Sequence, residues 1–305
     1  MDRNQQLSYE KDFRIAFLEN GGDSFQKFFE KLMGKVYPAD FIACRPWGII
    51  GDEKNDGYLP SKRILFQVYA PNKISANKAI SKIDEDFEEA KEYWEEYFDE
   101  WVFVHNTHDG RLSPPIIRKL EELKQANPKI RIGHWGYEEL LIEFRKLDLA
   151  SLQSWFGMVF TTQTYANLGY DQLQAILQHI QMVPHRDSGS DVREVSQGKI
   201  EANLLSSAVS DFLKIGMQKY RLVESFFHNW RDPNYESQLA DAFKMTYIAF
   251  RDQSPTLHPD IIFAKIEEWA GGTAGRTPDE KAAILALIAY FFDKCIVFED
   301  AKVKK

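Results

Sequence analysis

Residues 64–70, ILFQVYA, constrain the fold of this chain more than any other stretch. Six of these seven residues are apolar or aromatic, and Pro71 and Asn72 follow at once and end the run. A short continuous apolar run bounded by turn residues is typical of a strand buried on both faces, and such strands are covered by helices. The run therefore predicts a central strand of an α/β sheet, and its one amide, Gln67, is an unusual polar group for that position.

Helical and strand patterns alternate around this run through the first 150 residues. Strand-like runs also occur at residues 102–105 and 129–133, and apolar residues recur at helical spacing over residues 25–33, 75–101, 114–125 and 136–144. The longest of these helices is predicted to align Phe87, Trp94 and Trp101 on one stripe. The alternation predicts a central sheet flanked by helices.

The pattern changes after residue 149. Residues 184–198, PHRDSGSDVREVSQG, are polar and typical of a linker. From residue 199 to residue 298 only helical patterns occur. The sequence therefore predicts an α/β domain over residues 1–150, a connecting helix and linker over residues 151–198, and an all-α interaction domain over residues 199–305.

Charge and composition exclude several classes of protein. The formal net charge of −8 argues against a protein that coats nucleic acid or an anionic membrane through bulk charge. The longest apolar block, residues 282–292, is shorter than the ~20 residues that a bilayer requires, so no membrane association is expected. Cys44 and Cys295 lie far apart in apolar surroundings, as expected for reduced thiols in a cytoplasmic protein.

The stretch before the apolar strand carries candidate metal ligands. Asp52 and Asp56 stand close to Gly57, where the chain can turn into a strand. Strand pairing would bring Asp56 to Gln67, and the carbonyl of Val68 could be a further oxygen ligand for Mg²⁺. Acidic residues before glycine also form ordinary turns, so a purely structural role remains the alternative.

These residues, in this order, resemble the PD-(D/E)XK nuclease superfamily, whose fold is called restriction-endonuclease-like. The resemblance covers about residues 13–147 and implies a core of helix, three strands, helix and strand. It implies that Asp56 takes the role of the metal-binding aspartate, Gln67 that of the acid or glutamine on the next strand, and Glu30 that of a glutamate on the first helix. The lysine of the motif falls on Tyr69.

Tyr69 is a departure from that motif, because a phenol with a reference pKa of ~10 is neutral at pH 7 and supplies no positive charge. Lys73 could reach back to the site, and Lys62 and Lys78 are weaker substitutes. Two functions follow as expectations. One is a Mg²⁺-dependent endodeoxyribonuclease, and the other is a catalytically silent nuclease fold that binds protein or nucleic acid.

Residues 84–100 contain ten carboxylates and one lysine, Lys91. This composition predicts a solvated helix face. Because carboxylates repel phosphates, the domain could bind DNA only on a side away from this helix. If the helix lies on the functional side, a basic protein partner is expected instead.

The tail of the chain resembles the helical C-terminal domain of prokaryotic ABC-three-component systems, most closely in its final YFFDKCIVFE. The resemblance covers about residues 199–299 and implies a nuclease-like effector of an antiviral defence complex, with an ABC or SMC-like ATPase and a middle component as partners. The chain has no G-x-x-x-x-G-K-[ST] loop, so the ATPase is expected to be a separate chain. A homo-oligomer is compatible with this interpretation.

Overall fold

The computed structural model of the protein describes residues 1–44, 55–71, 75–180, 203–253, 257–271, 276–294 and 296–298. The contacts divide the chain into two compact units, Ala16–Ser151 and a second unit that joins Met1–Ile15 to Leu152–Lys305. The predicted linker at residues 184–198 lies outside the described residues, as do Asp52, Lys73 and Cys295. The predicted division into domains at residues 1–150, 151–198 and 199–305 stays a prediction.

The α/β unit contains a five-stranded sheet in the order β1-β2-β3-β4-β5. Strands β1, β2 and β3 are antiparallel neighbours, whereas β4 and β5 run parallel to β3. Two 3₁₀ turns, Pro60–Lys62 and Thr107–Gly110, connect elements of the unit. The elements from the N-terminus are α1 (Arg3–Glu19), α2 (Asp23–Val36), β1 (Ile42–Ala43), β2 (Gly57–Leu59), β3 (Ile64–Tyr69), α3 (Ala76–Trp94), β4 (Glu100–His105), α4 (Pro114–Ala126), β5 (Arg131–Trp135) and α5 (Tyr137–Phe144).

Helices cover both faces of this sheet, as the sequence predicts. Successive side chains of β3 point to opposite faces. On one face the ring of Phe66 packs against Phe29 of α2, with ring centroids 5.3 Å apart. On the other face Leu65 belongs to a buried cluster with Phe87 of α3 and Leu120 of α4. The fold class α/β is therefore confirmed.

The predicted helix over residues 75–101 is wrong at its C-terminal end. Helix α3 ends at Trp94, and Trp101 lies in β4. Trp101 still packs edge to face against Phe87, with ring centroids 5.4 Å apart. The apolar spacing continues past the end of α3 because Trp101, in β4, faces the same core. Periodicity alone therefore did not locate the end of the helix.

The second unit is helical. Its helices pack around α13, whose residues from Ala282 to Phe292 are all buried. Thr277 and Glu280 form a capping box at the start of α13, where the Thr277 hydroxyl accepts the Glu280 N–H at 3.2 Å. The elements after α5 are α6 (Leu149–Phe156), α7 (Thr162–Ala166), α8 (Tyr170–Ile180), α9 (Ser207–Met217), α10 (Tyr220–His228), α11 (Tyr235–Gln253), α12 (Pro259–Trp269) and α13 (Pro278–Asp293).

Helix α13 has the burial of a core helix. In the part of the chain that the structure describes, every helix falls short of the length and apolar character that a membrane span requires.

The N-terminal part of α1 is attached to the helical unit by buried ion pairs. Lys11 Nζ lies 2.7 Å from Glu267 Oε2, and Arg14 Nε lies 3.1 Å from Asp260 Oδ2. The side chain of Asp260 is fully buried, and its other oxygen accepts the backbone N–H of Ser206 at 3.0 Å. The carboxylate of Asp260 therefore binds both α1 and Ser206, the N-cap residue of α9.

Gly216 of α9 allows the closest approach between α9 and α13. A methyl group added at Gly216 would lie 2.5 Å from the Cβ of Ala289 and 2.9 Å from the carbonyl oxygen of Leu285. We expect Gly216→Ala to lower the free energy of unfolding by about 1–3 kcal/mol, because overpacking forces helices apart. The measurement is urea unfolding followed by circular dichroism.

The matched control is Gly34→Ala in α2, where an added methyl group meets no atom within 4 Å. That change is expected to stabilise the protein by roughly 0.5–1 kcal/mol, because alanine loses less conformational entropy in a helix. Equal effects of the two substitutions would contradict the close helix contact at Gly216.

Candidate functional site

Asp56 lies at an irregularity in the pairing of β2 with β3. Gly57 is the Cα partner of Phe66, yet the N–H of Asp56 also donates to the carbonyl oxygen of Phe66, at 3.0 Å. Two successive residues thus oppose one, which is the arrangement of a β-bulge. Bulges re-aim a side chain and are frequent beside active sites.

The bulge turns the Asp56 carboxylate onto the end of β3. Its Oδ2 accepts the backbone N–H of Val68 at 2.7 Å, and the residue is only 5% exposed. The next residue, Gly57, packs closely against Phe41, since a Cβ at that position would lie 2.6 Å from the Phe41 ring. The structure therefore places a buried carboxylate against the backbone of Val68, and its role as a metal ligand stays a prediction.

Gln67 is the second buried polar group at this end of the sheet. It is 6% exposed, and its Oε1 has no hydrogen-bond partner among the described residues. An unsatisfied buried acceptor costs about 1–3 kcal/mol, so its presence requires an explanation. A divalent cation bound beside Asp56 would satisfy this oxygen, so the two side chains fit Mg²⁺, which prefers oxygen ligands.

Tyr69 follows on the same face of β3, at the position where the nuclease motif has lysine. Its ring stacks on Phe103 of β4, with centroids 5.7 Å apart. Burial raises the pKa of the Tyr69 phenol, which moves it further from ionisation at pH 7. Tyr69 can therefore donate a hydrogen bond but provides no charge.

The remaining predicted residues are not all brought together. Lys73 lies outside the described residues. Lys62 lies before β3, at the opposite end of the strand from Val68, so it does not replace the missing lysine. Glu30 lies in α2 and is half-buried next to Phe29, which packs on Phe66. Its role at the metal stays a prediction.

His105 is a further polar residue at this end of the sheet. It is the last residue of β4, pairs in register with Tyr69, and is fully buried. The Thr107 hydroxyl donates to the carbonyl oxygen of Arg111 at 3.0 Å and lies 3.0 Å from His105 Nδ1. Nδ1 must then carry the proton, which leaves Nε2 as an unprotonated, buried nitrogen without a partner among the described residues.

The His105 ring is neutral at physiological pH. Burial, with a smaller contribution from the neighbouring His134, lowers its pKa to about 3. Within the described ranges no three His, Cys, Asp or Glu side chains lie close enough to hold a metal ion. A cation at this end of the sheet would therefore depend on the Gln67 amide and on backbone carbonyls as well as on Asp56.

The helical unit has a counterpart among known families. Residues 171–299 match the family model of C-terminal domain 10 of the ABC-three component (ABC-3C) systems. This match confirms the resemblance found in the tail, and it covers nearly all of α8 and continues through α13. Neither a curated protein nor a solved structure matches the chain.

Proposed function

We propose that the chain is the effector component of an ABC-three component antiviral defence assembly, and that its α/β unit is a DNA nuclease that uses a divalent cation. In this proposal the helical domain binds the ATPase and middle components of the assembly. Support for this part comes from the similarity of residues 171–299 to a C-terminal domain of such systems.

The connectivity of the α/β unit supports a restriction-endonuclease-like fold. The unit contains, in chain order, helix α2, three antiparallel strands, helix α3 and the parallel strand β4. This is the order of helix, three strands, helix and strand that the resemblance to PD-(D/E)XK nucleases implies. Strand β5 and helices α4 and α5 extend it.

One observation carries the nuclease proposal: the buried Gln67 Oε1 has no hydrogen-bond partner among the described residues, and the buried Asp56 carboxylate accepts the N–H of the next residue, Val68. Asp56, Gln67 and the carbonyl of Val68 would hold Mg²⁺. When bound, the ion would polarise the phosphate and make a water molecule nucleophilic at neutral pH. Glu30 would orient that water, and the hydroxyl of Tyr69 or the amine of Lys73 would donate to the phosphate oxygens.

A second candidate function is a catalytically silent nuclease fold that binds a protein or nucleic acid within the same assembly. The observation that favours it is the bond from the Val68 N–H to Asp56 at 2.7 Å, which gives the carboxylate a structural role. The packing of Tyr69 on Phe103 favours it as well, because an aromatic residue replaces the expected cation.

The experiment that separates the two functions starts with co-purification of the chain with the products of the neighbouring genes. The purified complex is then incubated with linear, supercoiled and single-stranded DNA, in Mg²⁺ or in EDTA. Cleavage that requires Mg²⁺ supports the nuclease. Intact DNA under every condition, from a complex that has assembled, supports the silent fold.

A paired substitution tests which group replaces the missing lysine. We expect Lys73→Ala to lower the cleavage rate on the order of 10²-fold, the effect of removing one transition-state donor. Tyr69→Phe is expected to change the rate little, because the phenol carries no charge. Single-turnover cleavage by the complex is the measurement. The reverse ranking would assign the donor role to Tyr69.

A further inference from the structure

Two lysine side chains meet at the hydroxyl of Tyr37, just after the end of α2. The amine of Lys62, in the turn before β3, donates to Tyr37 Oη at 3.0 Å. The amine of Lys146, which follows α5, donates to the same oxygen at 3.0 Å. Both lysines are exposed, and both amines also lie over the Tyr37 ring, at 4.8 and 5.4 Å from its centroid. Three different elements thus hold two positive charges together at the surface.

This cluster has hydrogen-bond donors to spare. An ammonium group has three N–H donors. Among the described residues, Lys62 uses one on Tyr37, and Lys146 uses one on Tyr37 and one on Glu143, at 2.6 Å. Because the Tyr37 oxygen accepts both bonds, its own hydrogen is left to donate. Several cationic donors beside one hydroxyl suit a phosphate, whose oxygens accept charge-assisted hydrogen bonds.

The surroundings add further positive charge. Lys31 and Lys35 lie one turn apart on α2, immediately before Tyr37, and Lys31 is exposed. Burial lowers the pKa of Lys31, and the charge of Lys35 contributes to the lowering. Acids also lie among these charges: Glu143, which pairs with Lys146, Asp148, whose pKa is lowered mainly by hydrogen bonds from Ser151 and slightly by Lys35, and Asp40, which accepts hydrogen bonds from Ser61 beside Lys62. The four lysines outnumber these three carboxylates, which leaves an excess of positive charge.

The acid-rich helix α3 does not oppose this surface. Helix α2 packs on the face of the sheet that carries Phe66, whereas α3 packs on the face that carries Leu65. The carboxylates of residues 84–92 therefore belong to the other side of the sheet. A polyanion that contacts only the Tyr37 side does not meet them, whereas Gln67 and Tyr69 share the face of Leu65, on which α3 packs.

We propose that Tyr37, Lys62 and Lys146, together with Lys31 and Lys35, bind the phosphodiester backbone of duplex DNA. The choice of duplex DNA as the partner rests on the proposed nuclease function. The cluster lies at the start of β3, whereas Asp56 contacts its far end. A strand of six residues is ~20 Å long at ~3.4 Å per residue, so the cluster grips DNA away from the bond that is cut.

The test measures binding of the full chain to a fluorescein-labelled 20-base-pair duplex, by anisotropy in EDTA and over a series of NaCl concentrations. We expect Lys62→Ala to weaken binding about 10-fold and to reduce the slope of log K against log [NaCl] by about 0.9, the value for one lost phosphate contact. Tyr37→Phe, which removes a donor without changing the charge, is expected to weaken binding about 2- to 10-fold. The control Lys124→Ala, in α4, removes an exposed lysine from the other side of the sheet and is expected to have no effect.

Several results would overturn the proposal: wild-type affinity and slope in both Lys62→Ala and Tyr37→Phe, an equal loss in Lys124→Ala, or tighter binding of a duplex RNA of the same sequence. Because EDTA prevents cleavage, binding is measured independently of the nuclease activity. Normal DNA binding with no cleavage in Mg²⁺ would contradict the nuclease alone. Cleavage with an unaltered salt slope in Lys62→Ala would contradict the DNA-binding surface alone.

Discussion

Asp56→Asn is expected to abolish Mg²⁺-dependent cleavage while leaving the α/β unit folded. The amide of asparagine can still accept the Val68 N–H, which Asp56 Oδ2 accepts at 2.7 Å, but it no longer offers a negative charge to the cation. Bound metal supplies several kcal/mol of transition-state stabilisation, and each ~1.4 kcal/mol is a factor of ten in rate. We therefore expect a loss of at least ~10³-fold, measured as the single-turnover rate of the assembled complex.

Asp56→Ala separates the catalytic role of Asp56 from its structural role. It removes both the charge and the acceptor of the Val68 N–H, so it should also lower the free energy of unfolding by about 1–3 kcal/mol. A rise in melting temperature with millimolar Mg²⁺ is expected for the wild type and for neither variant. If Asp56→Asn cleaved at the wild-type rate, or kept the Mg²⁺-dependent rise, Asp56 would not be a metal ligand.

Asp260→Ala is expected to lower the free energy of unfolding of the helical unit by about 3–5 kcal/mol, the cost of breaking a buried ion pair. The side chains of Arg14 and Asp260 are 5% and 0% exposed, and Asp260 also accepts the N–H of Ser206. The substitution removes the carboxylate that pairs with the buried guanidinium of Arg14. It also removes the acceptor of the backbone N–H of Ser206, the N-cap residue of α9. Urea unfolding followed by circular dichroism is the measurement.

Asp279→Ala is the matched control, since Asp279 is also an acid in the first turn of a helix but is exposed. Its expected cost is about 0.3–1 kcal/mol, the contribution of a charge near a helix end. The double variant in which leucine replaces both Arg14 and Asp260 should be more stable than Asp260→Ala, because apolar residues can replace a buried pair. A cost for Asp260→Ala no greater than the control's would show that the pair contributes little.

The sequence predicted best the elements in which consecutive residues are apolar. Strand β3 is continuously apolar except for Gln67, and α13 is apolar along residues 282–292, so neither required knowledge of its neighbours. The boundary between α3 and β4 was missed because Trp94 and Trp101 pack into the same core from different elements. An apolar pattern indicates which side chains are buried, but it does not indicate whether they belong to a helix or to a strand.

The sequence indicates which polar residues lie near this end of the sheet, but it does not indicate their geometry. The order of Asp56, Gly57 and Gln67 indicated a carboxylate beside a buried amide. The bulge that directs Asp56 onto Val68 depends on the register between β2 and β3, and this register depends on both strands. The neutral tautomer of His105 depends on Thr107 and on the carbonyl of Arg111, and no spacing in the sequence reveals that chain of hydrogen bonds.

The attachment of α1 was not predictable for a related reason. Its ties to the helical unit are charged residues, Lys11 and Arg14, whose partners stand about 250 positions later. Charged residues on a helix are normally solvated, so their burial here follows only from the tertiary structure.

The discontinuous helical unit also determines the order in which this protein can mature on the ribosome. Arg14 is made before the α/β unit, and its partner Asp260 follows 246 residues later. At 5–20 residues per second, Arg14 waits on the order of 10–50 s for that partner, while the whole of residues 16–151 is synthesised between them. The α/β unit can therefore fold before the helical unit is complete, because the helical unit requires Asp260. A nascent chain that stalls before Asp260 exposes an Arg14 side chain that this carboxylate covers in the folded protein.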